Sequence, residues 1–289
     1  MGVTIALDLP TPWRDRAGRL SPLRIAALAL LVAPALWIGW LAWSDGLGPE
    51  PLNAAMHATG RWALRFLLLT LAVTPFGRIL AWPRLFQLRR MIGLGALAWV
   101  ALHLVLYAAD QNWVLWRVVA EIAQRFYLTI GFAALAGLAV LGWTSTDGWM
   151  KRLGRRWKRL HRLVFPIAVL ALLHAFIQAK SDTSSAVFLL GLALWLLGWR
   201  LMPARRQQGI VPLAALSAAS VAAAIALEYA WYALATKLPA ERVLAANFDA
   251  LQFDPDFFAP RPAILAGMVM LGVLAAVALR RLAPGGRAA

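Results

Sequence analysis

Eight runs of mostly apolar residues divide the chain, at roughly 23–43, 62–80, 91–109, 127–143, 163–180, 186–201, 210–232 and 262–281. A helix needs about 20 apolar residues to cross a bilayer core, and only helices and closed barrels satisfy their backbone groups there. Eight runs of that length predict an all-α fold, a polytopic helical membrane bundle. Composition agrees: 62% of the residues are hydrophobic and 15% charged, against about half and a quarter in a soluble domain. The first run follows Arg14, Arg16, Arg19 and Arg24, as a signal peptide would. It is about 20 residues long and leaves through Leu41-Ala42-Trp43-Ser44-Asp45 without a small-x-small cleavage site, so a retained helix is expected.

The formal net charge is +16, from 29 Lys and Arg against 13 Asp and Glu. In a soluble chain this excess would suggest nucleic acid. Here the cations sit between the apolar runs, where they set topology and meet lipid headgroups, and no nucleic-acid partner is expected. With the N-terminus inside, 21 of the 29 fall on inner segments, so both termini are expected to be cytoplasmic. The longest polar stretches, residues 1–22 and about 233–261, are too small for a domain with its own core. No G-x-G-x-x-G, P-loop or βαβ pattern occurs, so nicotinamide and ATP chemistry have no home here. Electrons, if this chain carries them, come from a lipid-soluble donor or another protein. No internal repeat is evident, so an inverted-repeat transporter gains no support.

There is no cysteine, which removes disulfides, iron–sulfur clusters, thiol catalysis and covalent haem attachment through C-x-x-C-H. Histidine occurs only at positions 57, 103, 161 and 174. His103 lies deep in the third run and His174 deep in the fifth, and ionisable side chains inside spans are costly and by default functional. Both runs go from inside to outside and open at an arginine. The intervals Arg90 to His103 and Arg162 to His174 each correspond to a rise of roughly 18–20 Å. The two imidazoles therefore share one level, nearer the outer face. Two neutral imidazoles on facing helices are what six-coordinate haem iron takes from a protein. The competing reading is a pair of histidines bonded to each other, to a backbone carbonyl or to water.

On an ideal helix His161 and His174 lie about 140° apart, although Pro166 between them can change the phase. At the cytoplasmic boundary, about 20 Å from His174, His161 suits a second haem, a flavin or quinone head group, or a plain interfacial role. Arg89 and Arg90 stand at that level of the third run. His57, ahead of the second run, reads as an exposed interfacial side chain. Arg61 and Arg65 share a helical face and suit a haem propionate, since guanidinium pairs carboxylates bidentately; the alternative is snorkelling anchors. The basic segment Lys151–Arg162 reads as a headgroup-facing loop or as a dock for propionates or a flavin phosphate.

The segments Thr59-Gly60-Arg61-Trp62-Ala63-Leu64, Leu68-Leu69-Thr70-Leu71-Ala72-Val73-Thr74-Pro75, Arg89-Arg90-Met91-Ile92-Gly93-Leu94 ahead of His103, Tyr127-Leu128-Thr129-Ile130-Gly131, Thr144-Ser145-Thr146, and Leu153-Gly154-Arg155-Arg156-Trp157-Lys158-Arg159-Leu160-His161 ahead of His174 form an ordered set. Together they resemble the MsrQ (formerly YedZ) family of the ferric-reductase-like transmembrane group, over about residues 20–201. The resemblance implies a subunit of the bacterial inner (cytoplasmic) membrane that holds one or two haem b groups. It would pass electrons from the respiratory quinone pool to MsrP, a periplasmic molybdopterin enzyme repairing methionine sulfoxide in proteins. Sulfoxide reduction would then reside on the partner. The resemblance also implies that His103 and His174 are haem ligands, brings His161 into the set with a less defined role, and associates flavin mononucleotide (FMN) with the family, although no motif here locates it.

Members of that family usually stop after six spans, whereas this chain continues. The expected organisation is a cytoplasmic segment 1–22, a haem-binding transmembrane domain 23–206, and an extension 207–289 with two further spans, among which Glu228 is a carboxylate deep in an apolar run. The extension could dock a periplasmic partner, pack on the bundle or form a separate hairpin. The competing functions are a ferric-reductase-type electron carrier and a cofactor-free transporter whose histidines relay protons.

Overall fold

The structure, a computed structural model, describes residues 12–14, 18–179, 182–249 and 260–282. In chain order its helices are α1 (Pro22–Trp43), α2 (Pro51–Ile79), α3 (Arg89–Asp110), α4 (Leu115–Gln124), α5 (Phe126–Trp143), α6 (Asp147–Leu153), α7 (Arg155–Leu160), α8 (Val164–Ala179), α9 (Ser184–Leu201), α10 (Ile210–Ala235), α11 (Ala240–Asp249) and α12 (Pro262–Leu282). Among the described residues eight helical segments are long and apolar enough to span a membrane, with α7 and α8 counted as one through a 3-10 turn at His161–Leu163. The chain is a multi-pass membrane protein built as the all-helical bundle that the apolar runs predict.

The second span departs most from expectation, beginning at Pro51 rather than near 62. Proline at the first helical position is pre-set for the helix and gives up no needed N–H. Asn53, His57, Thr59 and Arg61 interrupt the apolar pattern of this first part, yet they face inward: Asn53, His57 and Arg61 line a cavity, and the buried Thr59 hydroxyl donates to the Met56 carbonyl at 2.8 Å. Inward polar groups lower the hydropathy of a span without exposing it to lipid. α2 is the most buried of the spans and packs against α1, α3, α8 and α9.

Phe66, Leu68 and Leu71 of α2 form one continuous core with Trp99 of α3, Leu138 of α5, Leu172 of α8 and Trp199 of α9. The outside is equally apolar, with Leu36, Trp37, Trp43, Phe126, Trp143 and Val211 exposed. Lipid is as apolar as this core, so close packing and internal hydrogen bonds hold the helices together. Trp99 donates its indole N–H to the Leu31 carbonyl at 3.0 Å, whereas the Arg90–Asp147 pair at 2.6 Å is exposed and adds little. Between α3 and α5, short α4 exposes Leu115, Trp116 and Val119 while turning Glu121 and Ile122 toward the cavity. An exposed apolar side on a helix too short to span is the pattern of a helix lying in the membrane interface.

The extension joins the same bundle. Leu213 of α10 and Ala266, Met270 and Val277 of α12 belong to the main core. A Cβ on Gly191 of α9 would stand 2.9 Å from the Ala266 Cβ, so a glycine lets α9 and α12 touch. Trp195 donates to the Ser217 hydroxyl at 3.0 Å, and Trp199 to the Gln207 carbonyl at 3.0 Å. The extension packs on the bundle rather than standing as a separate hairpin. Phe253, Asp254, Asp256, Phe257 and Phe258, expected in the outer loop, lie outside the described residues.

Candidate functional site

His103 on α3 and His174 on α8 face each other, their ring centres 6.4 Å apart and their planes at 75°. They do not bond to each other. His103 donates from Nδ1 to the Met56 carbonyl of α2 at 2.8 Å, and His174 from Nδ1 to the Tyr127 carbonyl of α5 at 2.8 Å. A carbonyl only accepts, so these bonds fix the proton on Nδ1 and leave the Nε2 lone pair free. Neither Nε2 has a hydrogen-bond partner among the described residues, and neither is sealed from solvent. Both rings line one cavity of about 890 Å³.

That cavity is graded in polarity. Leu64, Leu67, Val100, Ala134, Leu138 and Leu189 wall its depth, while Asn53, Arg61, Asp110, Glu121 and Asp182 stand at its mouth. Tyr107 donates to Glu121 there at 2.7 Å. Arg61 and Arg65 both line the cavity, as their helical spacing suggests, and neither has an ion-pair partner among the described residues. The Arg65 guanidinium lies over the Trp62 ring, 4.6 Å from its centre. His57 lines the cavity as well, half-buried on α2, so it is not the freely exposed residue expected from its position.

His161 is placed elsewhere. The 3-10 turn at His161–Leu163 just before Pro166 changes the helical phase, and the ring stacks on Trp157 at 3.9 Å between centres. Thr144 gives its hydroxyl proton to the Val140 carbonyl at 2.8 Å and so accepts from His161 Nε2 at 3.2 Å. Trp157 completes the cluster by donating to the Thr144 carbonyl at 2.8 Å. The segment Thr144-Ser145-Thr146 thus closes the end of α5, with Thr146 capping α6. His161→Ala is expected to leave any spectrum that depends on His103 and His174 unchanged, and to lower the unfolding temperature by a few degrees. Paired optical and thermal scans check this, and loss of the spectrum would count against the assignment.

Two residue pairs escaped the sequence reading. Met56 and Gly60 pack on His103 just as Tyr127 and Gly131 pack on His174, and the bonded residues are 47 apart in both cases. The three-position set therefore recurs at one constant offset, a local repeat hidden by the divergence of everything between. A search of the spans for glycines at one fixed distance before a histidine would have found it.

Haem can be tested against this site. An iron bonded to both Nε2 atoms at about 2 Å, each nitrogen roughly 1.1 Å from its ring centre, needs about 6 Å between centres. The observed 6.4 Å fits. Apolar walls suit a porphyrin face, and the two unpaired arginines suit its carboxylates.

Comparison with known proteins places the chain in a family. The family "Ferric reductase like transmembrane component" matches residues 59–172. A Xanthomonas euvesicatoria protein is 42% identical over 179 residues, covering 60% of this chain and 82% of the relative. A Rhodospirillum rubrum protein is 40% identical over 203 residues, covering 69% of this chain and 95% of the relative. Both are named "Protein-methionine-sulfoxide reductase heme-binding subunit MsrQ". No solved structure matches the chain. With relatives this similar over most of their length, the chain belongs to the MsrQ family.

Proposed function

We propose that the chain is the haem b electron-transfer subunit of a methionine sulfoxide reductase system, taking electrons from the respiratory quinone pool and passing them to a periplasmic molybdopterin reductase of the MsrP kind. The observation that carries this reading is the apposed pair of imidazole rings, 6.4 Å between centres, whose Nδ1 atoms are held by backbone carbonyls and whose Nε2 atoms are left free. The names of the relatives support haem over a cofactor-free transporter.

In this reading His103 and His174 would hold the haem iron, and Arg61 and Arg65 would hold its carboxylates at the mouth of the cavity. The bound group supplies reversible one-electron exchange. The apolar walls of α2, α5 and α9 would pack against the porphyrin, and the carbonyls of Met56 and Tyr127 fix the proton on Nδ1 and aim both rings. His161 lies outside this centre, at the end of the bundle that carries the basic segment. A flavin phosphate, were FMN bound, would find its cations there. The reading places the protein in the bacterial inner membrane with both termini cytoplasmic. It takes 23–206 as the haem-binding unit and 207–289 as an extension beyond the six-span core.

The optical spectrum of the purified protein, followed by anaerobic addition of quinol and then of oxidised periplasmic reductase, tests the proposal. The expected result is a b-type band that quinol reduces and the reductase reoxidises. A folded, colourless protein favours the transporter. A haem protein that reduces ferric chelates but not the sulfoxide reductase favours the ferric-reductase reading, which the family match also suggests.

A further inference from the structure

The matching contacts around His103 and His174 have a specific chemical basis. In an α-helix the carbonyl of residue i accepts from the N–H of residue i+4 and keeps a second lone pair. The side chain at i+4 normally covers that lone pair. For Met56 and Tyr127 the residues at i+4 are Gly60 and Gly131; at Met56 the Thr59 hydroxyl also donates to the carbonyl at 2.8 Å, so there the imidazole shares the oxygen with it. An added Cβ at Gly60 would lie 3.1 Å from both Cε1 and Nδ1 of His103. At Gly131 it would lie 2.8 Å from Nδ1 and 2.9 Å from Cε1 of His174, closer than real Cβ atoms approach. The three nearest atoms at each site all belong to the imidazole. Other span glycines press on ordinary apolar side chains, Gly95 on Leu31, Gly137 on Ile167 and Gly191 on Ala266.

We propose that Met56–Gly60 and Tyr127–Gly131 are two matched sockets in which glycine uncovers a helix carbonyl for the imidazole Nδ1–H, making Gly60 and Gly131 positioning residues for both axial ligands. The inference rests on the haem reading above and goes beyond it by assigning the residues that set the ligands' tautomer, basicity and plane. Donation to a carbonyl raises the electron-donating power of the opposite nitrogen, and a metal-bound histidine depends on such an outer partner. A stronger donor favours the oxidised iron, so the sockets hold the midpoint potential down. They also hold the planes near their observed 75°, an arrangement that gives low-spin ferric iron a strongly anisotropic paramagnetic resonance signal.

The test uses the full-length, haem-loaded protein in Gly60→Ala, Gly131→Ala and, as a control on the same helix as Gly131, Gly137→Ala. Paramagnetic resonance, redox titration and haem affinity are measured. Gly131→Ala is expected to shift the low-field signal, raise the midpoint potential and weaken haem binding by about 10- to 100-fold, the range for loss of an outer-shell partner. Gly60→Ala should act in the same direction by less, because its ring has to yield only a few tenths of an ångström. Gly137→Ala should match the wild type in signal and potential. If Gly131→Ala does not fold, Gly60→Ala decides. Wild-type signal and potential in the folded glycine variants facing histidine, or an equal change in Gly137→Ala, would overturn the sockets. A wild-type protein with no low-spin signal would instead overturn the haem reading itself.

Discussion

Replacing either His103 or His174 by alanine should abolish the low-spin haem spectrum, while imidazole added to the purified variant should restore part of it. Each histidine supplies one free ring nitrogen of an apposed pair, and no group of three or more His, Cys, Asp or Glu that could hold a metal ion clusters among the described residues. Loss of one ring would remove one of the two nitrogens available to a bound haem iron and leave room for a small ligand to enter from the mouth of the cavity. A fall in bound haem of at least tenfold is expected in each variant, in line with loss of a direct metal ligand when an outer partner alone is worth about 10- to 100-fold. His161→Ala provides the contrast, since its ring is occupied by Thr144 and Trp157. Unchanged spectra in both the His103 and His174 variants would reject the pair as ligands.

The pairing of His103 with His174 was legible in the sequence because two arginine markers measure depth along two spans of the same direction. The ring-to-ring distance was not, since helix rotation is set by packing. α2 shows the opposite case. Hydropathy delayed its start because Asn53, His57 and Arg61 look like loop residues until a cavity is known to lie beside them. α4 left a readable trace, Leu115, Val118, Val119 and Ile122 at helical spacing, but an interfacial helix is too short to register as a span. Gly60 and Gly131 were invisible for another reason. Glycine is common in membrane helices as a packing residue, and only the atoms across the gap distinguish a socket from a close contact. His161 was placed at the correct end of its span, but its partner Thr144 lies on another helix with no local pattern to announce it.

The extension carries the second large expected effect. Glu228 of α10 is fully buried, and its carboxylate accepts from Asn247 of α11 at 2.9 Å and from Arg261, which precedes α12. One acid thus ties together three helical elements. Removing one partner of a buried ion pair leaves the other desolvated and uncompensated, which costs about 3–5 kcal/mol, whereas replacing both with apolar groups is often neutral. The Arg261 side chain is 27% exposed, so water relieves part of its burden and none of that on Glu228. Arg261→Met should therefore be the worst single change, destabilising the extension by about 3 kcal/mol. Glu228→Leu should cost less, and the double variant should recover most of the loss. Thermal unfolding in lipid nanodiscs, with proteolysis of the segment after Arg206 as a local readout, separates these outcomes. The haem signal should survive in all three, because no residue of α10, α11 or α12 lines the cavity and no histidine lies beyond position 174. Arg261→Met at wild-type stability would show that Glu228 needs no cation to be held in the bundle. Loss of haem in that variant would show instead that the contacts of α9 with α10 and α12 hold the cavity wall at Leu189 in place.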